Sequence, residues 1–493
     1  MSQDIDKNTI NESTKSSTNN PIDYTSNVDK DRDVMIGLEI HVHLNTKEKL
    51  FCDCKVPTKE SVVNSHICPR CTGQPGSKPM LTNAAALRKV IKIGLAVGAR
   101  ATKHTNFQRK HYTWPDMPTG FQRTVSGGQV ETTTVGGEFL GVRIEGNHIE
   151  ENPAAWDPVT GELDYNRSGF PLAEFVTAPD FRSTSELRDW LKEFILVLKY
   201  LDCINMEYGI KSDVNVSVKE SGFKRVEIKN VNSITNIVAA ANAEVLRQRE
   251  LCAAGKPILQ ETRRYNDETD ETQFMRSKEN AQDYRFTPEP DLPNLNVSDE
   301  MIEEIRATIP ELPAAKREKY SKFDLKKEDI EVLVSNLYLT EIFEHALDKK
   351  LNPREVGLFL RREIPRVLNY AKENFSDLEK KDIKEEIISL IDLLGADKIA
   401  YTTAQKVLEK LYSEKFDVVK YIDDNNLIQV QDDGLIEELV RKALSDNPKA
   451  VEDHKNGNTK SLNFIVGVIM RETKGTAKPQ VVNKVLMEVV NSL

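Results

Sequence analysis

The sequence predicts an α+β protein. A mixed domain with a largely antiparallel sheet and a zinc-knuckle-like insertion is followed by an all-α helical domain and a small helical tail. Three observations predict this. Apolar and polar residues alternate repeatedly between residues 34 and 295, as in 142–149 and 214–218, the period of half-buried strands. Two close cysteine pairs, Cys52-x-Cys54 and Cys68-x-x-Cys71, follow the first strand-like run at 35–44. From about residue 299 the spacing becomes that of short amphipathic helices with Glu- and Lys-rich faces.

Taken in order, residues 1–33 are rich in Ser, Thr, Asn, Asp and Lys and are expected to be disordered. The 35–44 strand places Glu39 and His41 on one side, because side chains alternate. Helices are expected over 81–97 and 183–201. Thr82-Asn83 offers the first a start, and Ser183-x-x-Glu186 has the pattern of a capping box. Another strand begins at 226–228. Pro288, Pro290 and Pro293 mark the exit from the mixed domain, put at 295. A helical domain then spans 296–425. A tail domain, 426–493, contains an apolar helical segment at 464–470 and a turn at Gly475-Thr476-Ala477-Lys478-Pro479.

Composition excludes some classes. No apolar stretch approaches the ~20 residues that span a bilayer, and no secretory signal opens the chain, so no membrane partner is expected. Six cysteines without an export signal suit a reducing cytoplasm. Cys203 and Cys252 stand alone in helical, partly apolar contexts and read as core thiols. The net charge of -10 does not suggest nucleic acid, yet residues 455–493 carry six Lys/Arg against two Glu. A local basic face matters more than the total, although such a run alone is usually a solvated surface.

Four thiolates in two close pairs suit tetrahedral Zn2+, the alternative being free or disulfide-paired cysteines. The mixed domain also places many carboxylates on strands. Glu150 and Glu151 end the strand that holds His148, and Glu174 sits within Pro171-Leu172-Ala173-Glu174-Phe175-Val176. Asp213 with Asn215, and Glu227 with Lys229, share faces of their strands. Each alone reads as a solvated strand face. Together they suit a hard cation such as Mg2+, because buried carboxylates need a partner or a metal. Mg2+ on a sheet suits nucleotide phosphate chemistry. Neither G-x-x-x-x-G-K-[ST] nor G-x-G-x-x-G is present, so ATP would be held by carboxylates, metal and cations such as Arg109, Lys110, Arg263, Arg276 and Arg285. Without a G-x-S-x-G elbow, an H-E-x-x-H motif or a glutaminase context, any ammonia must come from elsewhere.

These motifs resemble the B subunit of the aspartyl/glutamyl-tRNA amidotransferase. The likeness lies in Ile36-Gly37-Leu38-Glu39-Ile40-His41-Val42, Leu50-Phe51-Cys52 and Cys68-Pro69-x-Cys71-x-Gly73-x-Pro75-Gly76. It continues in Arg109-Lys110-His111-Tyr112, Asp164-Tyr165-Asn166-Arg167-Ser168-Gly169, Asp213-Val214-Asn215-Val216-Ser217, Glu227-Ile228-Lys229-Asn230 and Asp283-Tyr284-Arg285. The resemblance covers about residues 34–493. It implies a "cradle" domain in which ATP and Mg2+ activate the side-chain carboxylate of mischarged Asp-tRNA(Asn) or Glu-tRNA(Gln). Ammonia from an amidase-type glutaminase partner, the A subunit, would then displace phosphate, with a small C subunit clasping the pair. Carried over by position, Glu39, His41, Glu150, Glu151, Glu174 and Glu227 are the implied catalytic and metal residues. Arg109, Lys110, Asp213, Asn215, Lys229, Arg276 and Arg285 are implied nucleotide or substrate contacts. The tail resembles the family's tRNA-binding tail, with Lys460, Arg471, Lys474 and Lys478 as contacts. Two departures stand out. Glu150-Glu151-Asn152-Pro153-Ala154 replaces the usual Glu-Glu-Asp-Ala-Gly, and His43 stands where glutamine is usual. The 1–33 leader lies outside the pattern. The chain has no room for the inserted domain of the archaeal glutamyl-specific paralogue, which favours the three-subunit form.

Two other readings compete. A non-catalytic zinc-ribbon tRNA-binding adaptor would explain the cysteines and the basic tail but not the strand carboxylates. A stand-alone ATP-dependent ligase would use free ammonia without a stable partner.

Overall fold

The computed structural model describes residues 33–112, 114–128, 130–277, 284–429, 433–450, 461–473 and 477–491. The chain forms two compact units, one ending at Pro310 and the other beginning at Glu311.

The first unit is built on a 13-stranded sheet. Its main path runs Glu271–Ser277, Glu261–Asn266, Val226–Asn232, Ile210–Val218, Val34–His43, Pro171–Thr177, Val142–Glu151, Phe121–Thr124, Gln108–His111 and Thr287–Pro288. Neighbours along this path are antiparallel except Val226–Asn232 with Glu261–Asn266. A parallel pair needs a crossover, and helix Ile234–Ala253 supplies it.

The central strand, Val34–His43, shows why the sheet has two unlike faces. Leu38, Ile40 and Val42 are buried on one side, and Glu39 and His41 alternate with them onto the other. Helices Ala84–Ala96, Thr184–Tyr200 and Ile234–Ala253 pack on the apolar side. Phe175 meets Phe194 at 4.5 Å between ring centroids. Asn147 Nδ2 donates to the Val90 carbonyl at 2.8 Å, and Gln248 Nε2 to the Val216 carbonyl at 3.2 Å. Asn83 caps the first helix and Ser183 the second, where the sequence placed them. The Glu186 carboxylate accepts from the Arg182 backbone, one residue outside the expected box.

The prolines at 288, 290 and 293 punctuate the backbone without ending the unit. Thr287–Pro288 pairs with Gln108 and Arg109, and Leu295–Asn296 pairs with His104 and Thr105. Helix Asp299–Ala307 is then tied back by Arg88–Glu304 at 2.7 Å and Lys103–Asp299 at 2.8 Å. These contacts carry the first unit past the expected boundary at 295.

The second unit is helical. Helices between Pro313 and Asp424 share a core that includes Phe343, Phe359 and Leu360. Helices Asp433–Asp446, Ser461–Glu472 and Pro479–Asn491 enclose a separate core around Ile436, Ile465 and Leu486. Among the described residues no helix is long and apolar enough to cross a membrane. The expected disorder of 1–33 lies outside the described residues, apart from Asp33.

Helix Ala84–Ala96 approaches the sheet closely at Gly94, where a Cβ would lie 2.3 Å from Thr134 Oγ1. Gly94→Val should therefore destabilise the first unit by about 1–3 kcal/mol through overpacking. A lower urea midpoint with an unchanged slope would register it.

Candidate active site

Strand register gathers the polar side chains. His148 lies opposite Glu174, Glu174 opposite His41, and His41 opposite Lys211. Glu39 lies opposite Asp213. A second row runs Asn215, Glu227, Thr262 and Arg276. Cross-strand partners share a face, so residues distant in sequence meet on the side the helices leave uncovered.

Two clusters result. In the first, His41 Nε2 lies 3.2 Å from Glu174 and 3.8 Å from Glu150. His148 Nε2 lies 3.3 Å and 3.7 Å from the same two carboxylates. Each imidazole thus bridges both acids. His148 and Glu150 are each only 3% exposed, and neither ring nitrogen of His148 has an aligned hydrogen-bond partner. Burial alone would depress both imidazoles. Glu174, with Glu150, outweighs it and pushes each up to about 9. Burial would likewise raise Glu174, but the two imidazoles hold its carboxyl well below the ordinary range.

The second cluster is Glu39, Asp213 and Glu227, whose carboxylate oxygens lie within 4.8 Å of one another. Lys229 Nζ sits 2.6 Å from Asp213 and 3.5 Å from Glu227. Asn215 Nδ2 donates to Glu39 at 3.1 Å, and Thr262 Oγ1 to Glu227 at 3.0 Å. Burial raises the Glu39 carboxyl, and the charges of Glu174 and Asp213 raise it further. Burial would depress the Lys229 ammonium, but Asp213 and Glu227 raise it. A β-bulge shapes this corner. The register shifts between Ser212 and Val214, and the Asn230 backbone N–H donates to Asp213 at 2.8 Å. Asn230 takes φ 57 to do so.

Not every expected residue joins. Glu151 follows Glu150 and therefore points to the opposite face. Its carboxylate accepts the Arg123 backbone N–H at 2.9 Å and meets the guanidinium at 3.3 Å. Arg109 is in the same network, bound to Glu289 at 2.7 Å and stacked 4.3 Å over Phe121. Both are held in ion pairs on the face opposite the histidine–glutamate cluster. Lys110 remains on the acidic side, opposite Gln122, with its ammonium 4.8 Å over the Tyr284 ring. Arg263 turns to Glu261 and Glu244 at 2.6 and 3.6 Å. Arg276 shares the Glu227 row. Arg285 is exposed, and its carbonyl meets His111 Nδ1 at 2.9 Å. In the tail, Arg471 is exposed and Lys478 pairs with Asp397 rather than standing free, while Lys460 and Lys474 lie outside the described residues.

The four cysteines converge. All are free of disulfides, and their Sγ atoms lie within 4.8 Å of one another. The Cys68 N–H and Lys49 Nζ approach Cys71 Sγ at 3.2 and 3.5 Å. A hydrogen bond from Cys52, with the Lys49 charge, lowers the Cys71 thiol to about 5 despite burial. Cys203 is buried, and Cys252 is half-buried on its helix.

Sequence reasoning underweighted three neighbours. His148 carries the same one-residue spacing to Glu150 that joins Glu39 to His41, and that was its signal. Thr262 and Lys211 had none, since only cross-strand register brings them in. At the departures from the family pattern, His43 is buried between Phe170 and Tyr208, each ring centroid 4.9 Å away. Burial, with Arg167 and Lys211, pushes its imidazole down to about 3. Asn152 is buried, and its Nδ2 has no hydrogen-bond partner.

The chain is similar to known proteins over most of its length. Residues 34–303 match the GatB/GatE catalytic domain and 341–490 the GatB domain. The B subunit of the aspartyl/glutamyl-tRNA(Asn/Gln) amidotransferase of Methanobrevibacter smithii is 40% identical over 92% of this chain and 99% of its own length. The protein of the same name from Methanopyrus kandleri is 38% identical over 93% and 99%. That from Agathobacter rectalis is 39% identical over 94% and 100%. This chain belongs to the GatB family, the B subunits of tRNA-dependent amidotransferases.

Proposed function

We propose that this chain activates the side-chain carboxylate of mischarged Asp-tRNA(Asn) or Glu-tRNA(Gln) with ATP and then amidates it. The observation that carries this reading is the pair of acid clusters sharing one sheet face. An adaptor that only binds RNA has no use for desolvated carboxylates, so the clusters favour the enzyme.

In the reaction, a side-chain carboxylate oxygen bonds to the terminal phosphorus of ATP and ADP leaves. Ammonia then bonds to the carbonyl carbon, and phosphate leaves with the electron pair of the broken C–O bond. The relatives are named as B subunits, which implies partner chains. A glutaminase, the A subunit, would supply the ammonia, and a small C subunit would join the complex. Exposed Arg471 is consistent with tRNA contact by the basic tail.

The convergent carboxylates and the unsatisfied His148 nitrogens fit a hard divalent cation. His41, Glu150 and Glu174, with Glu39, Asp213 and Glu227, would hold Mg2+. When bound it would neutralise phosphate charge and align the phosphate chain. Asn215 and Thr262 fix the Glu39 and Glu227 carboxylates by hydrogen bonds, and Lys229 restrains Asp213. The four cysteine sulfurs fit structural Zn2+, given their mutual distances and the lowered Cys71 thiol.

Assayed as tRNA-dependent phosphate release by the full complex, Glu39→Gln should lower activity at least about 100-fold, about 3 kcal/mol of transition-state stabilisation. Affinity for tRNA should stay within about twofold. Normal phosphate release by this variant would remove Glu39 from the chemistry. The Mg2+ requirement should depend on pH. A proton on His41 competes with metal and is held until pH approaches about 9. The half-saturating Mg2+ concentration should therefore fall as pH rises toward that value, and a flat profile would exclude His41 as a ligand. Metal analysis should find one zinc per chain. Cys52→Ser should lose it and melt roughly 5 °C lower.

A further inference from the structure

A cationic corner adjoins the histidine–glutamate cluster. We propose that Arg167 and Lys211, with His43 beside them, form an oxyanion subsite that receives a carboxylate or phosphate of the reacting substrates. This deepens the function proposed above and rests on it.

The argument starts from the register. Lys211 is the strand partner of His41, and His43 follows His41 by two residues, so all three share the acidic face. Arg167 enters from the 3-10 turn Tyr165–Arg167. Its guanidinium lies 5.8 Å over the Tyr208 ring, whose centroid is 4.9 Å from that of His43. Phe170 completes an aromatic wall, edge-on to Tyr208 at 5.3 Å, and Tyr208 is tied by its hydroxyl to the Pro57 carbonyl at 3.0 Å.

This corner lacks the compensation that other buried or half-buried cations of the unit have: Lys229 is paired with Asp213, Arg123 with Glu151 and Glu289, Arg247 with Glu244, and Lys49 donates to the Tyr165 carbonyl. Among the described residues neither Arg167 nor Lys211 has an ion pair or a side-chain hydrogen bond. Arg167 Nε is sequestered from solvent without a partner, and so is His43 Nε2. Burial and the nearby Arg167 charge push the Lys211 ammonium down, and Asp213 only partly offsets them. Two like charges partly desolvated disfavour the folded state unless an anion joins them. The neighbouring acid clusters would repel an incoming carboxylate or phosphate. A fixed pair of cations beside them supplies the attraction those clusters lack, and a guanidinium fork suits either oxyanion.

The experiment uses Lys211→Gln, Arg167→Gln and Arg167→Lys in the full amidotransferase complex. Phosphate release is measured while ATP and mischarged tRNA are varied separately. Melting is measured with and without inorganic phosphate. Lys211→Gln and Arg167→Gln should each lower kcat/KM at least about tenfold, with melting temperature unchanged or raised, and Arg167→Lys should recover part of the loss. A raised KM for ATP assigns the corner to phosphate. A raised KM for mischarged tRNA, with unchanged affinity for uncharged tRNA, assigns it to the carboxylate. Inorganic phosphate should raise the melting temperature of the wild type and not of Lys211→Gln. That measurement needs no turnover, so it tests the corner even if the wild-type complex releases no phosphate and the proposed reaction fails. Should Arg167→Gln not fold, Lys211→Gln decides. Kinetics within about twofold of wild type, or a lower melting temperature with intact kinetics, would overturn the proposal and leave the cations as screening charges for Asp213.

Discussion

Mutual repulsion of desolvated carboxylates is the constraint around which the first unit is arranged. Glu39, Glu150, Glu174, Asp213 and Glu227 converge on one face of one sheet. Uncompensated, such a gathering would oppose folding. The chain supplies its counter-charges from the same strands: His41 and His148 between Glu174 and Glu150, and Lys229 between Asp213 and Glu227. The raised Glu39 carboxyl is what remains uncompensated.

That balance holds only while strand register holds, since a slip of one residue would send every acid to the apolar face. Three helices pin the register from behind. The far hairpin, Glu261–Asn266 with Glu271–Ser277, is pinned by a buried charge. Glu244 on helix Ile234–Ala253 accepts from Arg247, Gln248 and Thr272 at 2.6 to 2.8 Å, and Arg263 lies 3.6 Å away. Breaking one partner of such a network costs more than the network adds, so the hairpin is committed to one placement. Thr262 on that hairpin then reaches Glu227.

Much of this was legible in the chain. Alternation alone put Glu39 with His41, Asp213 with Asn215 and Glu227 with Lys229. The cysteine spacing foretold four converging sulfurs, and Asn83 and Ser183 announced their helices. What escaped was decided by pairing between distant strands. Glu150 and Glu151 are equivalent in composition, and only the pairing of Leu172 with Glu150 beside His148 with Glu174 selects the first. The pairing of Arg109 with Glu289, far along the chain, is likewise invisible in the local sequence. The prolines near 290 signalled irregular backbone correctly, but strand additions after them are invisible to composition. Lys478 shows the same limit, because Asp397 follows helix Lys384–Gly395, whose residues pack in the other core.

The two clusters differ in how they carry their counter-charge, and the difference bears on what each can exchange. Around Glu174 the compensating charge is a proton on each imidazole, and a proton can leave while the ring stays to offer its nitrogen. Around Asp213 it is an ammonium on a tethered stem, raised further by its neighbours and so unable to deprotonate in the same range. For a divalent cation to replace it, Lys229 must swing away from Asp213, giving up a 2.6 Å contact. The histidine cluster is therefore the one whose counter-charge can leave as protons. The lysine cluster holds its acids in order with a charge that does not leave.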